Sequence, residues 1–425
     1  MDLAKSSPTM SSSPPQAPAI RTCPFCPLLC EDIVLTASLE ALNTTCPRLT
    51  KSLATCTNND ATKTPQINGQ ITDLPAALSE AAKILEQARR PLFSGLATDI
   101  AGARALYELA AHSGAILDHL HGDALAASTL ALQDRGSFFT TLSEIRSRAD
   151  LIVVIACEPS RRYPRFYERV LNLDRQTDIV FVGCDTDPAA STNAKAILPN
   201  TDPFDILALW SALTEGRNAD ALADAQTAQQ LEALLERIHT AHYTAFVYEP
   251  ATLPAPHAAL AIEAINRIVK TINRTTRAGA LALTGDDGAL SVNQTVTWLT
   301  GFPLRTRVAY GVPVEHDSHR YRTDDLLRRK EIDALLWISS FGPEPLPSSL
   351  PDDVPAIILG HPATTHHARN ASTVFIPVAT PGIDSNGHLF RVDASVVVPL
   401  VAARDTAFPT VAAIASELVR ARRPQ

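Results

Sequence analysis

Apolar and polar positions change period along this chain in a recurring order. From Pro75 onward, segments with apolar residues at helical spacing alternate with short, uninterrupted apolar runs. Helical spacing predicts amphipathic helices, and the runs predict strands buried on both faces of a sheet. "LPAALSEAAKILEQARR" is an Ala-rich helix followed by the strand "PLFSGLA". "TDIAGARALYELAAHSG" is a helix with Thr98 or Asp99 as its cap and Gly114 as its stop. "AILDHL", "LIVVIAC", "DIVFVGC", "YTAFVY" and "AGALALTG" predict further strands. Helices are predicted between them: one opened by Pro164, "DPFDILALWSALTEG", a long one over 220–240, and "AALAIEAINRIVKTINR". After Thr323 the order resumes through "EIDALLWISS", "VPAIILG" and "STVFIPVA" to the closing helix "PTVAAIASELVRARR". This alternation predicts α/β domains with mostly parallel sheets, whose ligands sit at the carboxyl ends of the strands. Gly95, Gly183 and Gly285 lie at such ends, where turn geometry accounts for a glycine more readily than a ligand does.

The first 20 residues depart from this pattern. They are rich in Ser and Pro, lack an apolar block of secretory length, and read as a disordered leader. No stretch approaches the ~18 apolar residues of a membrane span. A net charge of −8 argues against a nucleic-acid partner. The expected compartment is cytoplasmic and reducing, where clustered cysteines bind metal or do redox chemistry more often than they form disulfides. At 425 residues, the chain is long enough for two or three domains.

The seven cysteines are unevenly placed. Cys23, Cys26 and Cys30 fall within "RTCPFCPLLCEDI", and Cys46 follows, directly before Pro47. Three close thiols plus one distant thiol suit a [4Fe–4S] cube, the fourth arriving on a hairpin strand that Pro47 ends. A structural zinc site and plain reduced thiols are the competing readings. Cys56, Cys157 and Cys184 stand outside the pattern. Among other candidates, His366 and His367 diverge on any regular element. His316 and His319 lack a third ligand nearby. Asp286–Asp287 fits acid–base work or, more simply, a helix cap after a strand. The Pro-rich loops "EPATLPAPH" and "GPEPLPSSLP" are either partner contacts or exposed connections.

From Cys23 nearly to its end, the chain resembles the B-subunit family of formylmethanofuran dehydrogenase, relatives of the molybdenum- or tungsten-pterin formate dehydrogenases. The carriers are "CPFCPLLCEDI", "CPRL", "ADLIVVIACEPSRRYPRFYERV", "VTWLTGFPLRTRVAYGVP", "EIDALLWISSF" and "VFIPVATPGIDSNGHLFRVDAS". The resemblance implies a small cysteine-rich cluster domain at 21–60 and two interleaved Rossmann-like α/β domains. One is formed by 61–120 with 301–425, the other by the insertion 121–300. It also implies that Cys23, Cys26, Cys30 and Cys46 hold a [4Fe–4S] cluster.

In the family a Cys directly before a His-Gly pair anchors the pterin-bound metal. Here the matching stretch is "ILDHLHGDAL", and the residue before His121-Gly122 is Leu120. An aliphatic side chain donates no electron pair to a metal, so the pocket at Leu120, His121 and Gly122 reads as degenerate and molybdopterin or tungstopterin is expected to be absent. The departure points to the bacterial formyltransferase/hydrolase branch of the family, which serves tetrahydromethanopterin-linked oxidation of formaldehyde to formate in methylotrophs. There a zinc amidohydrolase, a formyltransferase and a C subunit are the partners. Two alternatives stay open: a catalytic molybdopterin or tungstopterin dehydrogenase subunit, and an iron–sulfur carrier.

Overall fold

The computed structural model describes residues 18–58, 62–217 and 225–422. Most of the leader and the first turn of the helix expected over 220–240 lie outside them; that helix is described over Ala225–Thr240. No helix among the described residues is long and apolar enough to cross a membrane.

The architecture is mixed α/β, built on two large sheets. A five-stranded sheet has the order Ala278–Ala282, Thr244–Tyr248, Leu151–Ile155, Asp178–Val182, Lys195–Ile197, with every pairing parallel. The second sheet has nine strands. Its centre is parallel: Ile116–Leu117, Pro91–Ala97, Ala334–Ser339, Ala356–Gly360 and Thr373–Pro377. Antiparallel hairpins close both edges, Thr306–Ala309 with Val312–His316 on one side and Gln66–Ile67 with Gln70–Ile71 on the other. The edges are therefore antiparallel, formed by short strands outside the apolar runs, while the runs themselves pair in parallel as expected. These outer strands are shorter or more polar, and that is the kind of sequence that tolerates an edge. The chain starts the large sheet, leaves to build the five-stranded one, and returns.

Strand Leu151–Ile155 shows why the apolar runs are continuous. Leu151, Val153 and Ile155 face a core with Trp210, Ile265 and Val269 from the helices Pro203–Thr214 and Ala258–Ile272. Ile152 and Val154 face the opposite side. Side chains alternate along a strand, so burial of both faces requires every position to be apolar. That second face packs on the cysteine segment, through Cys23, Cys26, Cys30, Leu28, Leu49 and Leu53, and on Ile383 and Val392 of the tail. The cysteine segment thus shares the core of a much larger unit.

Local capping follows the sequence closely. Asp99, not Thr98, caps the helix Ile100–Ser113 by accepting from the amide of Gly102 at 2.9 Å. Gly114 ends it in the left-handed conformation. The stretch "AILDHL" is strand only at Ile116–Leu117, and Asp118 onward turns into a loop at the sheet's carboxyl end.

Candidate functional site

A cleft of about 680 Å³ opens where the carboxyl ends of strands from both sheets converge. One wall comes from the large sheet: Ser94, the loop 118–124, Arg305, Arg322, Trp337. The other comes from the five-stranded sheet: Arg162, Tyr163 and the turn 283–286. This is the position open α/β sheets favour for ligands. The two Pro-rich loops belong to it as well, through Pro250, Ala251, Leu253 and through Glu344, Pro345, Leu346. They wall the cleft, so they are more than plain exposed connections.

Leu120, His121 and Gly122 lie together on the cleft wall. Leu120 is half-buried and packs against the apolar cluster of Leu92, Ile116, Tyr321 and Trp337. Gly122 is required there, because a Cβ would lie 2.2 Å from Asp118 Oδ1 and 3.0 Å from Arg305 Nη2. That space belongs to a buried ion pair, Arg305 Nε to Asp118 Oδ1 at 3.1 Å. Asp118 also accepts from the amide and hydroxyl of Thr323 at 2.9 and 2.7 Å.

Two histidines follow this aspartate. His119 Nδ1 accepts the His121 amide at 3.0 Å, so its proton sits on Nε2, which donates to the Asp287 carbonyl at 3.3 Å. Burial, reinforced by His121, drives its pKa down to about 3, and the ring is neutral. His121 Nε2 meets Asp287 Oδ2 at 2.8 Å. Burial works against the Asp287 carboxylate, yet the bond and charge of His121 and the charge of Arg48 hold it below the usual range.

The neighbouring Asp286 is 2 % exposed and joins two arginines. Arg162 Nη2 reaches it at 2.5 Å and Arg48 Nη2 at 2.9 Å. Arg162 also pairs with buried Glu249 at 2.6 Å, whose carboxyl burial pushes up although Arg162 partly offsets this. Neither Asp286 nor Asp287 caps a helix through its side chain. The turn that carries them passes through Gly288, whose φ is +74° and where a Cβ would meet Thr98 O at 2.1 Å. The cap reading is corrected: the pair serves a buried network with Arg48, Arg162, Glu249 and His121, drawn from distant segments. Arg48, Arg162 and Glu249 carry no local sequence signal, since each is an ordinary charged residue until the fold buries it.

The cysteines lie at one end of this network. Cys23, Cys26 and Cys30 are buried, and Cys46 is half-buried. The loop is closed by the Cys23 amide on the Cys30 carbonyl at 2.9 Å and is framed by the paired strands Ala19–Arg21 and Ile33–Leu35. Cys46 does not end a hairpin strand. It occupies the N-cap position of the helix Pro47–Cys56, with Pro47 as first helical residue. The Cys23 thiol is pushed well up by burial and then by the neighbouring Cys26. Burial pushes Cys26 up to about 12, against the pull of Arg48. Among the described residues no group of three or more His, Cys, Asp or Glu is placed to hold a metal ion. The four side chains are thiols, the donor type an iron–sulfur cluster takes. Leu120 offers a pterin-bound metal no donor.

The remaining histidine candidates are placed elsewhere. His316 pairs with Thr306 Oγ1 at 3.2 Å, and Asp317 accepts the amides of His319 and Arg320 in a local turn. His366 packs on Phe375. His361 meets the Cys56 sulfur at 3.6 Å.

No family model matches the chain. It is 28 % identical over 340 residues to the B subunit of the formyltransferase/hydrolase complex Fhc of Methylorubrum extorquens, covering 76 % of this chain and 87 % of that one. It is 25 % identical over 338 residues to the B subunit of tungsten-containing formylmethanofuran dehydrogenase 2 of Methanocaldococcus jannaschii, covering 76 % and 77 %. The counterpart in Methanococcus maripaludis is 23 % identical over 344 residues. The fold is similar to a chain in the crystal structure of the formyltransferase/hydrolase complex (FhcABCD) from Methylorubrum extorquens in complex with methylofuran. There the TM-score is 0.71 at 25 % identity, covering 84 % of this chain and 98 % of that one. In sequence the chain is similar to the B subunits of the formyltransferase/hydrolase complex and of formylmethanofuran dehydrogenase, and in fold to a chain of the FhcABCD complex.

Proposed function

We propose that this chain is the B subunit of a formyltransferase/hydrolase complex and that it performs no redox chemistry of its own. Its partners are then the zinc amidohydrolase, formyltransferase and C subunits of that assembly, working in the cytoplasm on one-carbon units between formaldehyde and formate. The observation that carries this is Leu120, which packs into an apolar cluster on the cleft wall at the position where a metal-binding thiolate would stand. Support also comes from His121, which is turned onto Asp287 within the protein's own network. In this reading Cys23, Cys26, Cys30 and Cys46 hold a [4Fe–4S] cluster as a structural staple, with no catalytic role. The chain divides into the cysteine-rich segment 21–60, a Rossmann-like domain of 61–120 with 301–425, and a second of 121–300.

The test is elemental analysis of the natively purified assembly for Fe, Zn, Mo and W, with mass spectrometry of its subunits. Hydrolase-type and formyltransferase-type partners without molybdenum or tungsten are the expected result. One Mo or W per copy of this chain overturns the reading in favour of a pterin-dependent dehydrogenase.

A further inference from the structure

The tail of the chain carries an apolar run that neither the cleft nor the cysteine segment explains. "VVVPLVA", from Val396, reads like the strands that are buried on both faces. It belongs to an antiparallel hairpin, Gly387–Phe390 with Val397–Leu400. Side chains alternate across such a pair. Leu389, Val398 and Leu400 point inward and share a core with Leu29, Ala97 and Phe341. The opposite face pairs Phe390 with Val397 and His388 with Pro399. An antiparallel pair with one wet face alternates apolar with polar residues. Here Phe390, Val397 and Pro399 make the outward face apolar too, and Val397, Pro399 and the following Val401 are exposed.

The helix Ala289–Thr300 extends this face. Its Trp298 stands edge-on to Phe390, with ring centroids 5.2 Å apart. Phe390 is buried beneath it, while Trp298 itself is 67 % exposed. Leu299 beside it and Phe302, just past the helix end, are exposed as well. Single exposed apolar side chains are ordinary, but a contiguous patch marks a contact surface. At about 150–250 Å² for a fully exposed side chain of this size, the six bare ones leave roughly 500 Å² open, and none of them is charged. A stable interface takes about 800 Å² from each partner, about 55–65 % of it apolar, so this patch supplies the apolar share of one whole interface.

We propose that the face formed by Trp298 and the hairpin Gly387–Leu400 is where another subunit of the assembly docks, through an apolar, charge-poor surface of its own. The proposal rests on the reading of this chain as a subunit of a formyltransferase/hydrolase complex. The occupant is an unlike subunit, because the chain that this one matches in fold stands in the FhcABCD assembly. Trp298 is the anchor: a large, exposed aromatic ring fixed by the ring beneath it is the kind of residue that carries binding energy.

The native assembly and the full-length chain alone are given brief hydroxyl-radical pulses, and oxidation of each tryptophan is read by mass spectrometry. In the chain alone Trp298 is oxidised far faster than the buried Trp210 and Trp337, which serve as internal standards. In the native assembly its rate drops toward theirs. Trp298→Ala weakens binding of the chain to the remaining purified subunits about 30-fold or more in Kd, the scale of a lost interface anchor. Val401→Glu weakens it likewise by placing a charge in the contact, and leaves the melt of the chain alone unchanged because the position is exposed. Trp298 oxidised as fast in the assembly as in the chain alone, or an unchanged Kd in both variants, overturns the proposal alone. So does a dimer of the chain by itself that Trp298→Ala breaks, since a second copy is then the occupant. A native chain that co-purifies with no other subunit overturns it together with the reading beneath it.

Discussion

Asp286 offers the sharpest test of the cleft network. It is 2 % exposed and holds Arg162 at 2.5 Å and Arg48 at 2.9 Å. Asp286→Asn keeps the shape and removes the charge, leaving the two guanidiniums with Glu249 as their remaining buried carboxylate. Breaking a fully buried pair costs about 3–5 kcal/mol. Here the arginines are 25 % and 33 % exposed, so water screens part of the loss. Arg48 also keeps its bond to the Arg162 carbonyl at 2.9 Å. A cost of about 2 kcal/mol results. With an unfolding entropy of about 2.1 cal/mol/K per residue, a cooperative unit of this size loses roughly 2–3 °C in Tm. Scanning calorimetry of Asp286→Asn, Arg48→Met and the double variant measures it. The double variant is expected to be more stable than the sum of the singles by about 1 kcal/mol or more, since each single strands the other's charge. Strict additivity with an unchanged melt for Asp286→Asn refutes the network as the clasp between the segments.

Three further outcomes follow from the same geometry. His119 and His361 have folded pKa values lowered by burial to about 3 and about 4, the first with help from His121 and against Asp287, the second against Asp384 with help from Arg404. Below about pH 6.5 the unfolded chain takes up protons that these native rings refuse, so stability present at neutral pH falls as pH drops toward the folded values, by up to about 1.4 kcal/mol per pH unit for each ring; His119→Gln is expected to flatten the urea midpoint against pH by one proton's worth, and an unchanged slope contradicts it. Leu120→Cys places a thiol on the cleft wall, and a small methanethiosulfonate reagent should label it faster than the buried Cys23, Cys26 and Cys30; equal or slower labelling means that position 120 does not face the cleft. Asp99→Ala removes the cap of helix Ile100–Ser113 and should cost about 1 kcal/mol, read as a lower denaturant midpoint with unchanged slope.

The alternation of helical periodicity with apolar runs was enough to indicate an α/β chain, because burial on both faces of a strand leaves no room for polar positions. The caps at Asp99 and Gly114 and the crowding of Cys23, Cys26 and Cys30 are likewise local properties, readable from neighbours within a few residues. Position 120 was legible for a different reason: an aliphatic side chain cannot become a donor, whatever surrounds it. Tertiary structure alone decided which strands form edges, that Cys46 opens a helix, and that both Pro-rich loops wall the cleft. It also turned Asp286 and Asp287 from an apparent cap into the centre of a buried network. Arg48, Asp286, Arg162 and Glu249 are far apart in sequence, and their charges acquire meaning only where folding removes water and leaves each one dependent on the others.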